Sequence, residues 1–298
     1  MLINKKLTLT LTFFISFMCL IFFYSNVDSF ENFFNQIKNA SYSFILLAIF
    51  LLNITVIIRA FRWNILLPYK VKTYKLYKIQ LIGYFLNNIL PFKLGEILKS
   101  LVLSNETKNS NSDVLSSVIV EKFLDLISLL VFSLICLLIS PVVDIGETSL
   151  FFLVFIIGMI IILSLVILLL AKYLFQNLKS VDNFFQNLKM MKERLSLQEI
   201  ILSNIYGTII WLVYWMNVHL IFKAFDFNIE AYESLLILVV ASIINSIPSL
   251  PGAVGTFHLG LRSVIEGLNI LNINTESLIT ILHLYGYLSL SLVGLFYF

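Results

Sequence analysis

The chain has 298 residues, of which 59% are hydrophobic and 12% charged, with a mean hydropathy of +0.96. Soluble domains carry about 25% charged residues, so a soluble catalytic domain is excluded and an all-α, polytopic integral membrane protein is indicated. The net charge is +3, and the two cysteines, Cys19 and Cys136, lie in apolar blocks with no disulfide or metal-ligand spacing.

Met1 to Lys6 and the apolar run to Tyr24 imitate a signal peptide, but no small-x-small cleavage site follows, so a retained span 1 is expected over about 7–24. Span 2 is expected at 41–58, ending in Arg59-Ala-Phe-Arg62-Trp63, with a basic and aromatic segment running on to Lys78. A broken apolar segment occupies 79–103. A polar connector, Ser104 to Asp113, leads into span 3 at 114–139, closed by Pro141 and the turn Asp144 to Glu147. Span 4 is expected at 149–171, a mixed-charge amphipathic stretch at 172–199, and span 5 at 200–222. A second broken region covers 233–270, and span 6 covers 275–297. The expectation is therefore one membrane domain over 1–298 with about six full spans and two broken re-entrant hairpins, or eight spans if the second region crosses twice.

Loop charge sets the orientation. The N-terminus and segments 59–78, 93–113 and 172–199 together hold sixteen Lys and Arg, against Lys38 and Lys223 on the other side. This places both termini and the basic loops in the cytoplasm, in the plasma (inner) membrane. The first broken region then enters from the cytoplasm and the second from outside.

The two broken regions echo each other. Asn88-Ile-Leu-Pro91-Phe-Lys93-Leu-Gly95 shares Asn-x-x-Pro and Pro-x-x-x-Gly with Asn245-Ser-Ile-Pro248-Ser-Leu-Pro251-Gly252-Ala-Val-Gly255. Paired, oppositely inserted breaks are the sequence pointer to an inverted-repeat transporter with a midplane site. Proline removes a backbone donor and glycine permits the reversal, so Pro91, Gly95, Pro248, Pro251, Gly252 and Gly255 are candidate gate or hinge positions. The freed N–H groups favour an anion such as phosphate. The plainer alternative is a proline-kinked helix with no ligand.

Charges inside apolar blocks name the candidate binding residues. Glu121 and Asp125 are four apart and share a helical face; Asp125 falls roughly 16 Å beyond Val114. Buried acids mark partners or a pathway, and Arg59, Arg62, Lys93, Lys99 and Lys122 are candidate partners; the alternative puts both acids in the interface. Arg59 and Arg62 beside Trp63 form either an interfacial anchor or a phosphate fork. Lys93 and Glu96 are the pair to mutate first. The lysines at 70, 72, 75 and 78, interleaved with Tyr69, Tyr74 and Tyr77, suit anionic headgroups. His258 and Arg262 lie four apart after the second break; a lone buried His is commonly a packing residue. The histidines are too dispersed for a metal, and no nucleophile elbow, Walker loop or zinc-protease motif is present, so no catalytic residue, metal or cofactor is expected.

The ordered set Arg59-x-x-Arg62-Trp63, Asn88-x-x-Pro91-x-Lys93-x-Gly95-Glu96, Glu121-x-x-x-Asp125 and Pro251-Gly252-x-x-Gly255 resembles the flippase-like integral membrane family that forms the transmembrane half of lysylphosphatidylglycerol synthases. The resemblance runs from about residue 40 to the end. It implies lipid handling between leaflets, and in stand-alone members polyprenol-linked sugar or hopanoid pathways. Phe298 follows span 6 directly, so the soluble aminoacyltransferase domain is expected to be absent and its activity is not carried over. Phe92, Lys122 and His258 depart from the family's usual small residue, arginine and glutamate, and span 6 lacks an arginine near His283. The expected function is a flippase for an anionic phospholipid or polyprenyl-phosphate-linked lipid; the alternatives are a membrane-embedded enzyme modifying a lipid headgroup or glycolipid, and an ion-coupled solute carrier. Expected partners are membrane lipids and anionic headgroups, with a homo-oligomer and lipid- or glycan-pathway enzymes as further candidates and no nucleic acid. Expected binding residues are Arg59, Arg62, Asn88, Lys93, Glu96, Glu121, Asp125, His258 and Arg262.

Overall fold

Serine side chains cap two of the helices where the chain turns out of extended backbone. Ser29 accepts from the Asn32 backbone, and Ser196 with Glu199 forms a reciprocal capping box, satisfying amides that the first helical turn leaves open. The computed structural model describes residues 14, 17–25, 27, 29–90, 93–139, 179–246, 251–268, 270 and 275–298. The expected span 4, the turn at 144–147, most of the expected first span's opening half, Pro91, Phe92 and Pro248 lie outside them.

The described residues are all-helical. After a helical stretch at 17–25 come α1 (Phe30–Asn39), α2 (Tyr42–Leu66), α3 (Thr73–Ile89), α4 (Gly95–Thr107) and α5 (Asn111–Ile139). Then follow α6 (Lys179–Arg194), α7 (Leu197–Ala224), α8 (Ala231–Ser246), a 3-10 turn (Pro251–Ala253), α9 (Thr256–Gly267) and α10 (Thr275–Tyr297). Of these, α2, α7 and α10 are long and apolar enough to cross a membrane. Their outward faces carry large apolar side chains such as Phe50, Leu212 and Phe296, which suits lipid contact. The protein is a polytopic membrane protein.

One boundary differs from expectation in a telling way. Hydropathy ends span 2 at residue 58, yet α2 continues to Leu66 and buries Arg59, Arg62 and Trp63. The interfacial-anchor reading of these three residues is therefore corrected. Trp63 donates to Ser117 Oγ on α5 at 2.9 Å, and the arginines meet carboxylates on the same helix.

Two hairpins dominate the interior. In the first, α4 folds back along α3, with Gly83 facing Gly95 and Lys99. A Cβ on Gly95 would lie 2.1 Å from the Gly83 carbonyl and 2.7 Å from the Asn87 amide, so only glycine lets the backbones touch. In the second, α9 folds back along α8, with Gly260 against Ile244. Three residues at its turn, Gly252, Ala253 and Gly255, have positive φ (68°, 56° and 88°), the left-handed backbone that reverses the chain.

Both hairpins lie along α10 from opposite ends. The start of α3 meets the C-terminal end of α10, where the Tyr77 and Tyr297 rings are 6.3 Å apart, and Gly294 packs on the Leu81 carbonyl. On the other side Arg262 of α9 pairs with Glu276 at the start of α10. The tips converge midway. Asn88 donates to the Tyr287 carbonyl and to Ser291 Oγ, while the Tyr287 hydroxyl donates back to the Asn88 carbonyl at 3.3 Å and its ring covers Gly252.

Replacing Gly95 by Ala should lower thermal stability by about 1–3 kcal/mol, because the added methyl meets the Gly83 carbonyl and the Asn87 backbone and side chain. Gly267→Ala, with nothing within 4 Å, should be neutral. Paired melting curves in detergent check both.

Candidate functional site

A chain of alternating charges crosses three helices. Arg62 of α2 meets Asp125 of α5 at 2.6 Å, and Asp125 meets Arg59 at 2.9 Å. Arg59 reaches Glu121 at 3.4 Å, and Glu121 reaches Lys99 of α4 at 3.3 Å. Lys99 meets Glu96 at 2.7 Å, and Glu96 meets Lys122 of α5 at 2.7 Å. Each carboxylate therefore bridges two cations, and a cation stands at both ends.

The periodicity of the helices explains the pattern. Residues 121 and 125 share one face of α5, residues 59 and 62 share one face of α2, and residues 96 and 99 share one face of α4. Neutral donors and acceptors complete the row. Gln80 accepts from Lys99, the Glu121 carbonyl accepts from Arg62, and Arg59 Nε donates to the Tyr214 hydroxyl. Lys99 also sits 5.0 Å over the Trp63 ring. Isolated charges at this depth would be costly; threaded in alternation they neutralise one another locally.

Beside the row lies a cavity of about 600 Å³. Its lining combines the charge row, through Arg59, Glu96, Lys122 and Asp125, with the tips of both hairpins, through Asn88, Lys93 and Gly252. The remaining wall is apolar and aromatic, including Leu52, Leu129, Leu238, Trp211 and Phe257. A space that is charged on one side and aliphatic on the other suits an amphiphile.

The sequence-based candidates divide into three groups. Arg59, Asn88, Lys93, Glu96 and Asp125 line the cavity together. Arg62 and Glu121 stand behind them, fully buried in the charge row. His258 and Arg262 lie elsewhere. His258 packs against Phe23, Tyr24 and His283, and Arg262 pairs with Glu266 and Glu276. Of the two positions named for mutation first, Glu96 bonds Lys99 and Lys122, and Lys93 has no ion pair among the described residues. Of the hinge candidates, Gly95 and Gly252 are tight contact points, Pro251 opens the 3-10 turn and Gly255 precedes α9.

Several site residues escaped the sequence-based set. Lys99 and Lys122 entered it only as partners, although Lys99 falls three positions after Glu96. Tyr214, Trp211, His283 and Tyr287 line the cavity but look in the sequence like any aromatic in an apolar helix. Tyr287 has one weak signal, its place four residues after His283.

Comparison with known proteins also points to a membrane protein. Residues 9–294 match the family described as lysylphosphatidylglycerol synthase TM region. The chain belongs to that family. Among curated relatives, UPF0104 membrane protein MJ1078 of Methanocaldococcus jannaschii is 26% identical over 219 residues, covering 70% of this chain and 91% of the relative. UPF0104 membrane protein PH1989 of Pyrococcus horikoshii is 37% identical over 105 residues, covering 33% of this chain and 31% of the relative. No solved structure matches the chain. The matched lysylphosphatidylglycerol synthase TM region contains the whole charge row and both hairpins.

The row makes a stability prediction. Asp125→Asn deprives Arg62 of its carboxylate and Arg59 of one of two, and should cost about 3–5 kcal/mol as for other broken buried pairs. Glu106→Gln, which breaks only the exposed pair with Lys75, should cost less than about 1 kcal/mol. Unfolding followed by circular dichroism in detergent separates the two.

Proposed function

We propose that the protein is a lipid flippase, moving an anionic phospholipid or a polyprenyl-phosphate-linked lipid between leaflets of the plasma membrane. The observation that carries this reading is that one cavity is bounded by the charge row, by an aliphatic wall and by the tips of both hairpins. A headgroup would occupy the charged side while its chains follow the aliphatic side.

On this reading the α3–α4 hairpin enters from the cytoplasmic face and the α8–α9 hairpin from the opposite face. Helix length supports it: α4 has 13 residues and α9 has 12, about 20 and 18 Å of helix against a hydrocarbon core of ~30 Å. Short, glycine-broken segments from opposite sides, meeting near the middle of a full-length helix, suit alternating access around a fixed site. The lysines at 70, 72, 75 and 78 support a cytoplasmic location for both termini on this reading.

The reading is tested by reconstituting the protein in vesicles and following leaflet exchange of fluorescent phosphatidylglycerol and of a polyprenyl phosphate. Exchange above protein-free vesicles, with recovered lipid unchanged in mass, is expected. Asp125→Asn should lower the rate at least about tenfold, equivalent to ~1.4 kcal/mol on the rate-limiting step. Exchange no faster than in empty vesicles, for every headgroup, would sink the proposal; a lipid altered in mass would make the protein an enzyme.

A further inference from the structure

The charge row fixes more than the site's position. Glu96 is held by Lys99 and Lys122, Glu121 by Arg59 and Lys99, and Asp125 by Arg59 and Arg62. No carboxylate of the row is left single. An incoming ammonium group would have to displace a cation already within bonding distance. The converse holds for positive charge. Lys93 lies at the tip of the first hairpin, in left-handed backbone at φ 52°, and lines the cavity without an ion pair among the described residues. Lys122, at the open end of the row, is 41% exposed and also lines the cavity. A phosphate oxygen would supply the counter-charge that Lys93 lacks.

We infer that Lys93 is the specificity-determining residue of this cavity, selecting a phosphate headgroup of net negative charge and turning away headgroups that carry an amine. The arginines hold the row together; Lys93 meets the ligand. This deepens the flippase reading and rests on it for the lipid nature of the ligand. A free phosphate ester has the same headgroup chemistry and is the alternative source. The aliphatic wall at Leu52, Leu129 and Leu238 favours the lipid.

Native mass spectrometry of the full chain in detergent, offered equal amounts of phosphatidylglycerol, phosphatidylethanolamine and lysyl-phosphatidylglycerol, tests the inference. The wild type should retain phosphatidylglycerol about tenfold over either amine-bearing lipid. Lys93→Gln should erase the preference, and Lys93→Glu should reverse it, with melting temperatures unchanged because no ion pair is lost. Equal retention of the three lipids by the wild type, or an intact preference in Lys93→Gln, would overturn the inference. Millimolar glycerol phosphate should fail to displace the lipid; full displacement overturns the lipid assignment in favour of a free phosphate ester. Charge-selective binding without leaflet exchange removes the flippase reading and keeps the site. Exchange without charge preference does the opposite.

Discussion

The alternating row from Arg62 through Asp125, Arg59, Glu121, Lys99 and Glu96 to Lys122 is the constraint on which the rest depends. Seven ionisable side chains in an apolar protein are tolerable only when each charge has an opposite neighbour at bonding distance. That requirement ties α2, α4 and α5 to one another in a single register. It also explains why α4 folds back on α3: Lys99 must reach Gln80 and Glu121 at once. The row is electrostatic glue on its buried side and a charged wall on its cavity side.

The hairpins divide the interior from opposite ends, and α10 receives both. Its Tyr287 joins the two tips, bonding the Asn88 carbonyl while its ring lies over Gly252. His283, one turn earlier, is hydrogen-bonded to the Gly252 carbonyl at 2.7 Å. A movement of either tip therefore disturbs contacts made by the other. In an alternating-access cycle this is the physical link that would couple the two.

Much of the fold was legible in the residues because apolar length is a direct signal. The run at 275–297 coincides with α10, and Gly95, Pro251, Gly252 and Gly255 stand where regular α-helix starts or gives way. The charged site was partly legible, through Glu121 and Asp125 on one face and Arg59 with Arg62 on another. Pairing was not. Hydropathy scores each charge alone, so it stops span 2 before Arg59 although Asp125 cancels that cost. Nor does spacing along one helix show that Glu96 meets Lys122 from another helix. Aromatics such as Trp211 and Tyr287 carry no sequence mark that tells a cavity wall from a lipid-facing surface. His258 and Arg262 share a helix with the hairpin tip but turn to other neighbours, which only packing decides.

The central claim is that the cavity between the hairpin tips opens to each side of the membrane in turn. Ser242 lines that cavity from α8. A Ser242→Cys variant, in a background with Cys19 and Cys136 replaced, can be challenged with a membrane-impermeant maleimide in intact cells and in inverted vesicles. The account predicts labelling from both faces, slowed when Asn88 and Ser291, bonded across the first tip, are exchanged for a disulfide-forming cysteine pair. Labelling confined to one face under every condition would contradict it.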